Sequence, residues 1–250
     1  MKKIIYFSLI LISFLFVSCE YDNYDAPSLS MSGKLTYNGE NFMYDGNAAR
    51  GVLKVYQTGF GKVDIGTPLQ VGMDGTFKQA LFGGSYWVSP ENHQYPFEFT
   101  QFENLGAGLG YDSIQIDLKK NYEMNIEVVP YYELKDYQVK QADGNIMMSF
   151  HVNKVANTKK QAPKIVRVRG YVGTASIVNS QTTCTVAKDL NLDANSDIEI
   201  SIPVTTYQNS YINNFRDYAF CRVAIELENI PNYYLFTEVK KLEGLPVKGK

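Results

Sequence analysis

The residues that could carry out catalytic chemistry are few and lie far apart. Of the two histidines, His93 lies in a polar loop, and His151 alternates with Phe150 and Val152, which places it on the outward face of a strand. Neither is accompanied by the Gly-x-Ser-x-Gly motif that holds a serine nucleophile on a sharp turn. We therefore expect two surface histidines and a protein that is not an enzyme.

Acidic residues give no stronger indication of a reaction. Asp112 and Asp117 could be arranged for glycoside cleavage, but a chain with 26 acidic residues offers many such pairs by chance, so a hydrolase with an unrecognised site is only a third interpretation. Asp189, Asp193 and Asp197 recur in a polar loop, yet their spacing departs from that of a calcium-binding EF-hand and the required glycine is missing. The sequence predicts neither a metal site nor a cofactor.

Binding of a sugar needs fewer specific residues than catalysis does. Sugars present apolar C–H faces that stack on aromatic rings, and their hydroxyl groups pair with amide and carboxylate side chains. Tyr86 and Val88 share one face of a predicted strand, which puts the single tryptophan, Trp87, on the other face, next to a loop that contains Asn92 and Tyr95. We predict that Trp87, Tyr95 and Asn92 contact a glycan. The alternative is that the second half of the chain, or a long loop, covers Trp87 as packing between domains.

The first 19 residues contain a different chemical signal. Lys2 and Lys3 are followed by an apolar run over residues 4–17, then by Ser18 and Cys19, which is the pattern of a secretory signal. Residues 16–19 resemble a bacterial lipobox in its looser Bacteroidetes form, which implies that residues 1–18 are removed and that Cys19 carries acyl chains. A membrane anchor with an incidental cysteine is the alternative, but residues 4–17 fall short of the roughly 20 residues of a span.

Residues 19–28 are acidic and end near a proline, which predicts a flexible tether. Acidic residues directly after a lipidated cysteine resemble the Bacteroidetes signal for display on the outer face of the outer membrane. We therefore expect a lipid-anchored protein of the outer membrane that faces the cell exterior. A solvated linker that faces the periplasm is the alternative.

Composition and cysteine content limit the remaining possibilities. The net charge of −2 becomes −4 once Lys2 and Lys3 are removed, so no basic surplus supports nucleic acid as a partner. Beyond Cys19 only Cys184 and Cys221 remain, and alternation places Cys221 on the same face as Val223. A disulfide between Cys184 and Cys221 and two buried free thiols are both compatible with the sequence.

The elements that must position these residues are predicted to be strands. Alternation with period two, as in residues 114–118 and 122–128, recurs between turn dipeptides such as Asp74-Gly75. Pro130 breaks this alternation and marks a domain junction, and a short helical turn is expected within residues 205–217. The sequence therefore predicts an all-β chain with two β-sandwich domains in tandem, over residues 29–130 and 131–250.

Local motifs of the sequence resemble those of known families, both in the first domain and over the whole mature chain. The opening Ser32-Gly33-Lys34-Leu35, the turn at residues 74–77 and the strand at residues 81–88 resemble the carboxypeptidase-regulatory, or prealbumin-like, β-sandwich. The second domain is expected to be immunoglobulin-like. With the lipobox and the junction Val129-Pro130-Tyr131-Tyr132, the whole mature chain resembles Bacteroidetes lipoproteins that carry the "domain of unknown function 3823" and its separate C-terminal domain.

That resemblance implies a context and no catalytic residues. It implies an accessory, glycan-binding component of an outer-membrane polysaccharide uptake system, beside a TonB-dependent transporter and its starch-binding-type lipoprotein partner. The alternative is a structural or adaptor lipoprotein that binds protein partners of the transporter complex and no sugar. An exposed Trp87 favours the first interpretation, and a Trp87 buried between domains favours the second.

Overall fold

The computed structural model describes residues 25–47, 51–59, 66–106, 109–211 and 216–247, so the predicted signal peptide and Cys19 lie outside the described residues. Strands dominate these ranges and form two sandwiches, which confirms the prediction of an all-β chain with two β-sandwich domains. Within the same ranges, no helix is both long enough and apolar enough to cross a membrane.

The first domain consists of strands that alternate between buried and outward-facing side chains. In chain order they are β1 (Leu29–Tyr37), β2 (Glu40–Asn41), β3 (Leu53–Gln57), β4 (Thr67–Leu69), β5 (Thr76–Leu81), β6 (Gly84–Pro90), β7 (Phe97–Phe99), β8 (Asn104–Gly106), β9 (Gly110–Tyr111), β10 (Ile114–Leu118), β11 (Tyr122–Glu123) and β12 (Ile126–Pro130).

Two sheets enclose the core of this domain. One has the order β11-β1-β12-β7, with β2 and β5 also paired to β1, and the other has the order β10-β6-β3-β4. Leu35 and Ile126 from the first sheet and Val88 and Leu118 from the second are fully or almost fully buried between them. Because successive side chains of a strand point to opposite faces, burial of Val88 directs Trp87 away from the core.

The turn between Val71 and Phe77 depends on glycine. Gly75 has φ +79°, and a Cβ atom on it would lie 2.3 Å from the carbonyl oxygen of Phe42. Only glycine combines a left-handed backbone with so close an approach. The Asp74-Gly75 dipeptide therefore forms the turn that the sequence predicts.

The second domain begins at Tyr132, two residues after the last strand of the first domain ends at Pro130. Its strands and its helix are β13 (Tyr132–Ala142), β14 (Asn145–Lys154), β15 (Ile165–Gly173), β16 (Cys184–Leu192), β17 (Ser196–Pro203), α1 (Val204–Ser210), β18 (Tyr218–Leu227), β19 (Tyr234–Phe236) and β20 (Lys240–Glu243).

Its two sheets have the orders β13-β14-β17 and β16-β15-β18-β19, with β20 also paired to β18. The sequence places Cys221 on the core face, and the structure confirms this, since Cys221, Val223 and Ile225 are fully buried in one cluster. The short helix α1 occupies part of the segment in which a helical turn was expected.

The disulfide that the sequence left open is not formed, and both thiols are free and buried. Cys184 on β16 and Cys221 on β18 pair with Val172 of β15 from opposite sides. Two strand spacings separate their Cα atoms by about 10 Å, whereas a disulfide needs less than about 7 Å. Burial, followed by the proximity of Cys184, raises the pKa of Cys221 to about 12.

The described chain enters the first sandwich at one end and leaves it at the other. Leu29, the first residue of β1, pairs with Leu81, the last residue of β5, so the β5–β6 turn lies beside the start of β1. β12 runs parallel to β1 and ends at Pro130, two residues before β13 begins at Tyr132. The second domain therefore follows the end of the first sandwich that is distant from Leu29.

A fully buried arginine links the two domains. Nη2 of Arg222 donates to the carbonyl oxygens of Tyr44 at 2.6 Å and Met73 at 3.2 Å, both in the first domain. Its Nε donates to the carbonyl of Thr237 at 2.8 Å, and its Nη1 donates to that of Val178 at 3.2 Å, both in the second domain. Burial lowers the pKa of Arg222 to about 10, so the side chain remains a cation at neutral pH.

A second polar contact lies close by. Both carboxylate oxygens of Asp45 accept hydrogen bonds from Ser180, one from its backbone N–H at 2.8 Å and one from its hydroxyl at 2.7 Å. Asp45 also acts on Arg222 through its charge, which raises the pKa of the guanidinium against the effect of burial. We call Arg222, its four acceptors, Asp45 and Ser180 the seam, because together they join the domains through buried, satisfied polar groups.

Candidate functional site

Trp87 lies in the middle of β6 on the outward face of the β10-β6-β3-β4 sheet. Its side chain is 38% exposed, while Tyr86 and Val88 on either side are buried. Both neighbouring strands, β3 and β10, belong to the first domain. Trp87 is therefore an open ring on a sheet face and is not packing between domains.

Residues opposite one another on adjacent strands share a face, so the pairing identifies the neighbours of Trp87. Tyr56 of β3 lies on one side, and Gln115 of β10 lies on the other. Tyr56 is half-buried and Gln115 is exposed. Two aromatic rings and an amide therefore form one row across the sheet.

Polar side chains occupy the rows above and below. Ser89 pairs with Lys54 in one row, and Ser85 pairs with Asp117 in the other. The ammonium group of Lys54 lies 3.1 Å from the Glu91 carboxylate, which fixes the lysine at the edge of this surface. We call the seven residues of the three rows the Trp87 face; they are Lys54, Tyr56, Ser85, Trp87, Ser89, Gln115 and Asp117.

The position of Tyr56 depends on a glycine. A Cβ atom on Gly66, just before β4, would lie 2.6 Å from Cε1 of the Tyr56 ring. Such a contact is much closer than van der Waals packing allows, so any larger residue would displace the ring. Gly66 therefore permits Tyr56 to lie where it does beside Trp87.

Tyr95 does not behave as the sequence predicts. It is 3% exposed, and its hydroxyl lies within hydrogen-bond distance of the carbonyls of Val52 at 3.2 Å and Glu91 at 3.1 Å. Burial raises the pKa of that hydroxyl far above its usual range. The prediction that Tyr95 presents an open ring to a glycan is wrong, because the ring stacks on Phe97 with centroids 5.3 Å apart inside an aromatic cluster.

Asn92 is exposed, as expected, but it is remote from Trp87. β6 ends at Pro90, three residues or about 10 Å beyond Trp87 at the rise of a strand, and Asn92 lies further along, against Gly110 of β9. His93 follows it, is exposed, and lies 3.6 Å from the Glu91 carboxylate. The structure therefore does not bring Trp87, Asn92 and Tyr95 together into one site.

A cleft of about 930 Å³ lies between the domains. First-domain residues from His93 to Asp112 line one wall, and second-domain residues from Lys154 to Lys164 line much of the other. Trp87 is not among its lining residues, so the Trp87 face and the cleft are separate surfaces.

Two of the carboxylates that line the cleft hold its loops in place. The two carboxylate oxygens of Glu98 accept the backbone N–H groups of Lys159 and Lys160, each at 2.7 Å. Asp112 accepts the backbone N–H of Glu103 at 2.6 Å. Glu98 and Asp112 therefore have structural roles in the walls of the cleft.

The acids that the sequence singles out have partners of their own. Asp112 lies before β10 and accepts the backbone N–H of Glu103, whereas Asp117 lies on β10 with its carboxylate 2.7 Å from the Lys119 ammonium. The expectation of a polar loop is wrong for Asp189 and Asp197, which lie on β16 and β17. Asp189 pairs with an arginine at 2.6 Å, and Asp197 pairs with His151 at 2.8 Å.

Among the residues that the structure describes, no group of three or more His, Cys, Asp or Glu side chains could hold a metal ion. The residues that sequence analysis missed are Tyr56 and Gln115. Alternation shows only which side of a strand each side chain is on. The neighbours of Trp87 depend on strand order and register, which pair it with Tyr56, 31 positions earlier, and Gln115, 28 positions later.

The sequence matches two family domains. Residues 29–129 match the "Protein of unknown function (DUF3823) N-terminal domain", and residues 132–241 match the "Domain of unknown function (DUF3823_C)". The curated proteins include no match to the sequence.

Several solved structures share the fold over their whole length. A DUF3823 family protein from Parabacteroides merdae has a TM-score of 0.66 and 23% identity, with 88% of this chain and 100% of that chain covered. A DUF3823 family protein from Bacteroides uniformis has a TM-score of 0.64 and 15% identity, with 88% and 100% covered. A protein from Bacteroides uniformis described as a "putative carbohydrate binding protein" has a TM-score of 0.62 and 14% identity, with 87% and 99% covered. At these identities the likenesses show a common fold, and with the two matched domains the chain belongs to the DUF3823 family.

Proposed function

We propose that this protein is a non-catalytic lipoprotein that binds a glycan on the Trp87 face. The observation that carries the proposal is the open ring of Trp87, in one row with Tyr56 and Gln115, on a sheet face of the first domain.

The chemistry of this surface suits a sugar. A pyranose ring offers an apolar C–H face that would cover the Trp87 ring and remove its apolar surface from water. The hydroxyl groups at the edge of the sugar would then lie over the polar rows, where Ser89, Gln115 and Asp117 supply hydrogen-bond donors and acceptors. An open sheet face of this kind fits a stretch of an extended chain better than it fits a small molecule, whose sites are usually concave.

The location is part of the same proposal. Acyl chains on Cys19 would anchor the protein in the outer membrane, facing the cell exterior, since each buried methylene contributes about 0.8 kcal/mol and several chains hold firmly. There the protein would assist a TonB-dependent transporter and its starch-binding-type lipoprotein partner in polysaccharide uptake. A relative of the same fold that is described as a "putative carbohydrate binding protein" supports glycan binding.

The test is a binding screen of the soluble chain from Glu20 onward against a panel of polysaccharides, with wild type beside Trp87→Ala. We expect at least one polysaccharide to retard the wild type in affinity electrophoresis, and we expect Trp87→Ala to weaken that retardation at least tenfold. Phe82→Ala is the matched control, because Phe82 is an exposed ring of the same domain that lies outside the Trp87 face.

The outcomes separate the two interpretations of the chain. Equal losses in Trp87→Ala and Phe82→Ala would contradict the assignment of the site. Failure of every polysaccharide to retard the wild type would favour an adaptor that binds protein partners of the transporter complex.

A further inference from the structure

We propose that the end of the first domain next to Leu29 rests on the lipid headgroup layer of the membrane, through Phe82, Tyr122, Lys119 and Lys120. We call these four residues the membrane-facing end. The inference rests on the proposed lipid anchor at Cys19, and it adds an orientation that the anchor alone does not impose.

Strand pairing places the four residues around the start of the described chain. Leu29 pairs with Leu81, so Phe82 in the following turn lies beside the first residue of β1. In the other sheet, Gly84 pairs with Leu118, which puts the turn that begins at Lys119 at the same end.

A hydrogen bond closes this end from the other side of β1. The side-chain oxygen of Asn121 accepts the backbone N–H of Ser30 at 3.0 Å. Tyr122, the next residue, pairs with Met31 in the parallel ladder. The two turns and the incoming chain therefore form one end surface.

The two aromatic residues of this surface, Phe82 and Tyr122, are both exposed. Phe82 is 45% exposed in a turn, a position that polar residues usually occupy. Its carbonyl accepts the hydroxyl of Tyr86 at 2.8 Å, which fixes the turn. Tyr122 is 37% exposed on a two-residue strand. Tyrosine is favoured at the level of the lipid headgroups because its ring is apolar and its hydroxyl is polar, and an apolar phenylalanine ring can enter the boundary between headgroups and acyl chains.

The charged residues suit the same layer. Lys119 and Lys120 are exposed, and long lysine side chains can extend to headgroup phosphates while their methylenes cover apolar surface. Asp117 lies 2.7 Å from the Lys119 ammonium, and Glu123 follows Tyr122, so the surface carries no large net charge. We therefore expect contact with the headgroup layer to depend more on the two rings than on the content of anionic lipid.

The length of chain between anchor and domain permits this contact without enforcing it. Nine residues lie between Cys19 and Leu29, and at full extension the ten steps from one to the other span about 35 Å. In the proposed orientation the second domain lies away from the membrane. Trp87, three residues beyond Gly84 on β6, lies about 10 Å above the end surface, at the rise of a strand. The Trp87 face would then stand beside the membrane, accessible to a polysaccharide from the outside.

The experiment uses the full lipidated chain, purified from the membrane and reconstituted in phosphatidylcholine vesicles, with and without one quarter phosphatidylglycerol. Trp87→Phe removes the single tryptophan, and a new tryptophan is introduced as Phe82→Trp or, in a second variant, Tyr122→Trp. The control is Ile177→Trp, an exposed site in the second domain. Quenching by lipids brominated near the headgroup is measured for each variant.

We expect at least twofold quenching at positions 82 and 122, little change with phosphatidylglycerol, and no quenching at position 177. Vesicle-bound protein in which positions 82 and 122 are quenched no more than position 177 would overturn the membrane-facing end while leaving the anchor intact. A chain whose intact mass shows no acylation, or which does not float with the vesicles, would overturn both the anchor and this surface. Glycan binding is measured separately on the soluble chain, so its failure is distinguishable from either result.

Discussion

At the seam, every polar group of Arg222 faces an acceptor inside the protein, and Asp45 and Ser180 satisfy each other. On the Trp87 face, two rings and a set of polar side chains lie open on a sheet instead. Arg222 and Trp87 both point outward from a strand, yet the other domain covers Arg222, whereas Trp87 stays exposed. A side chain that points outward from a strand is therefore not always available to a ligand, because tertiary packing decides which outward residues stay exposed.

The largest effect is expected from removing the seam arginine. Arg222→Leu leaves up to four buried carbonyl oxygens, in two domains, without their donor. We expect a loss of about 3 to 5 kcal/mol in the free energy of unfolding, since truncating one member of a buried, hydrogen-bonded charged network costs that much. Urea denaturation followed by circular dichroism measures it.

Arg167→Leu is the matched control for this change. Arg167 lies on the outward face of β15, and its ion pair with Asp189 at 2.6 Å is exposed. We expect a loss of less than about 1 kcal/mol. Equal destabilisation by the two substitutions would show that the seam does not join the domains as the hydrogen bonds indicate.

A smaller effect, on affinity alone, is expected on the Trp87 face. Tyr56→Ala removes the second ring of the row, and because Tyr56 is half-buried it offers less surface to a sugar than Trp87 does. For the polysaccharide whose binding depends on Trp87, we expect a three- to tenfold loss of affinity by isothermal titration calorimetry, about 1 kcal/mol.

Tyr234→Ala, on the outward face of the second domain, is the control for Tyr56→Ala. Tyr234 is also half-buried and pairs with Glu226, but it belongs to the other sandwich. An unchanged affinity is expected. A loss equal to that of Tyr56→Ala would mean that the sugar does not bind specifically along the row of Trp87.

Much of the fold follows from local pattern, and part of the Trp87 face does too. Burial of Tyr86 and Val88 and exposure of Trp87 repeat the alternation of the sequence, as do Cys221 and Val223 in the core of the second domain. These features depend only on the period of a strand, which neighbouring residues determine.

Arg222 shows where local pattern fails. Alternation places Arg222 on the other face of β18 from Cys221 and Val223, the face on which a charged residue would ordinarily meet water. Arg222 is nevertheless fully buried. Its first-domain acceptors, Tyr44 and Met73, lie 178 and 149 residues away along the chain. One signal was available, because Ala224 on the same outward side is apolar, and a strand that is apolar on both sides indicates burial on both sides.

The smallest effect on stability is expected at the turn that contains Met73, whose carbonyl accepts a hydrogen bond from Arg222 in the seam. Asp74 adjoins Met73 and accepts hydrogen bonds from the Thr76 hydroxyl at 2.8 Å and the Thr76 N–H at 3.1 Å. Burial raises the pKa of Asp74, but these hydrogen bonds outweigh it and hold the pKa below its usual range. Because the folded pKa is depressed, the stabilisation is present above the unfolded value of about 3.9 and is lost as pH falls through the folded pKa.

Asp74→Asn keeps an acceptor for Thr76 but cannot ionise. We therefore expect this variant to be less stable than wild type by a few tenths of a kcal/mol at pH 7, an amount limited by solvent screening of this exposed turn. Paired urea denaturation at pH 7 and below pH 3 measures the difference, which should shrink at the lower pH. A deficit that stays constant across that range would show that the charge of Asp74 does not stabilise the turn.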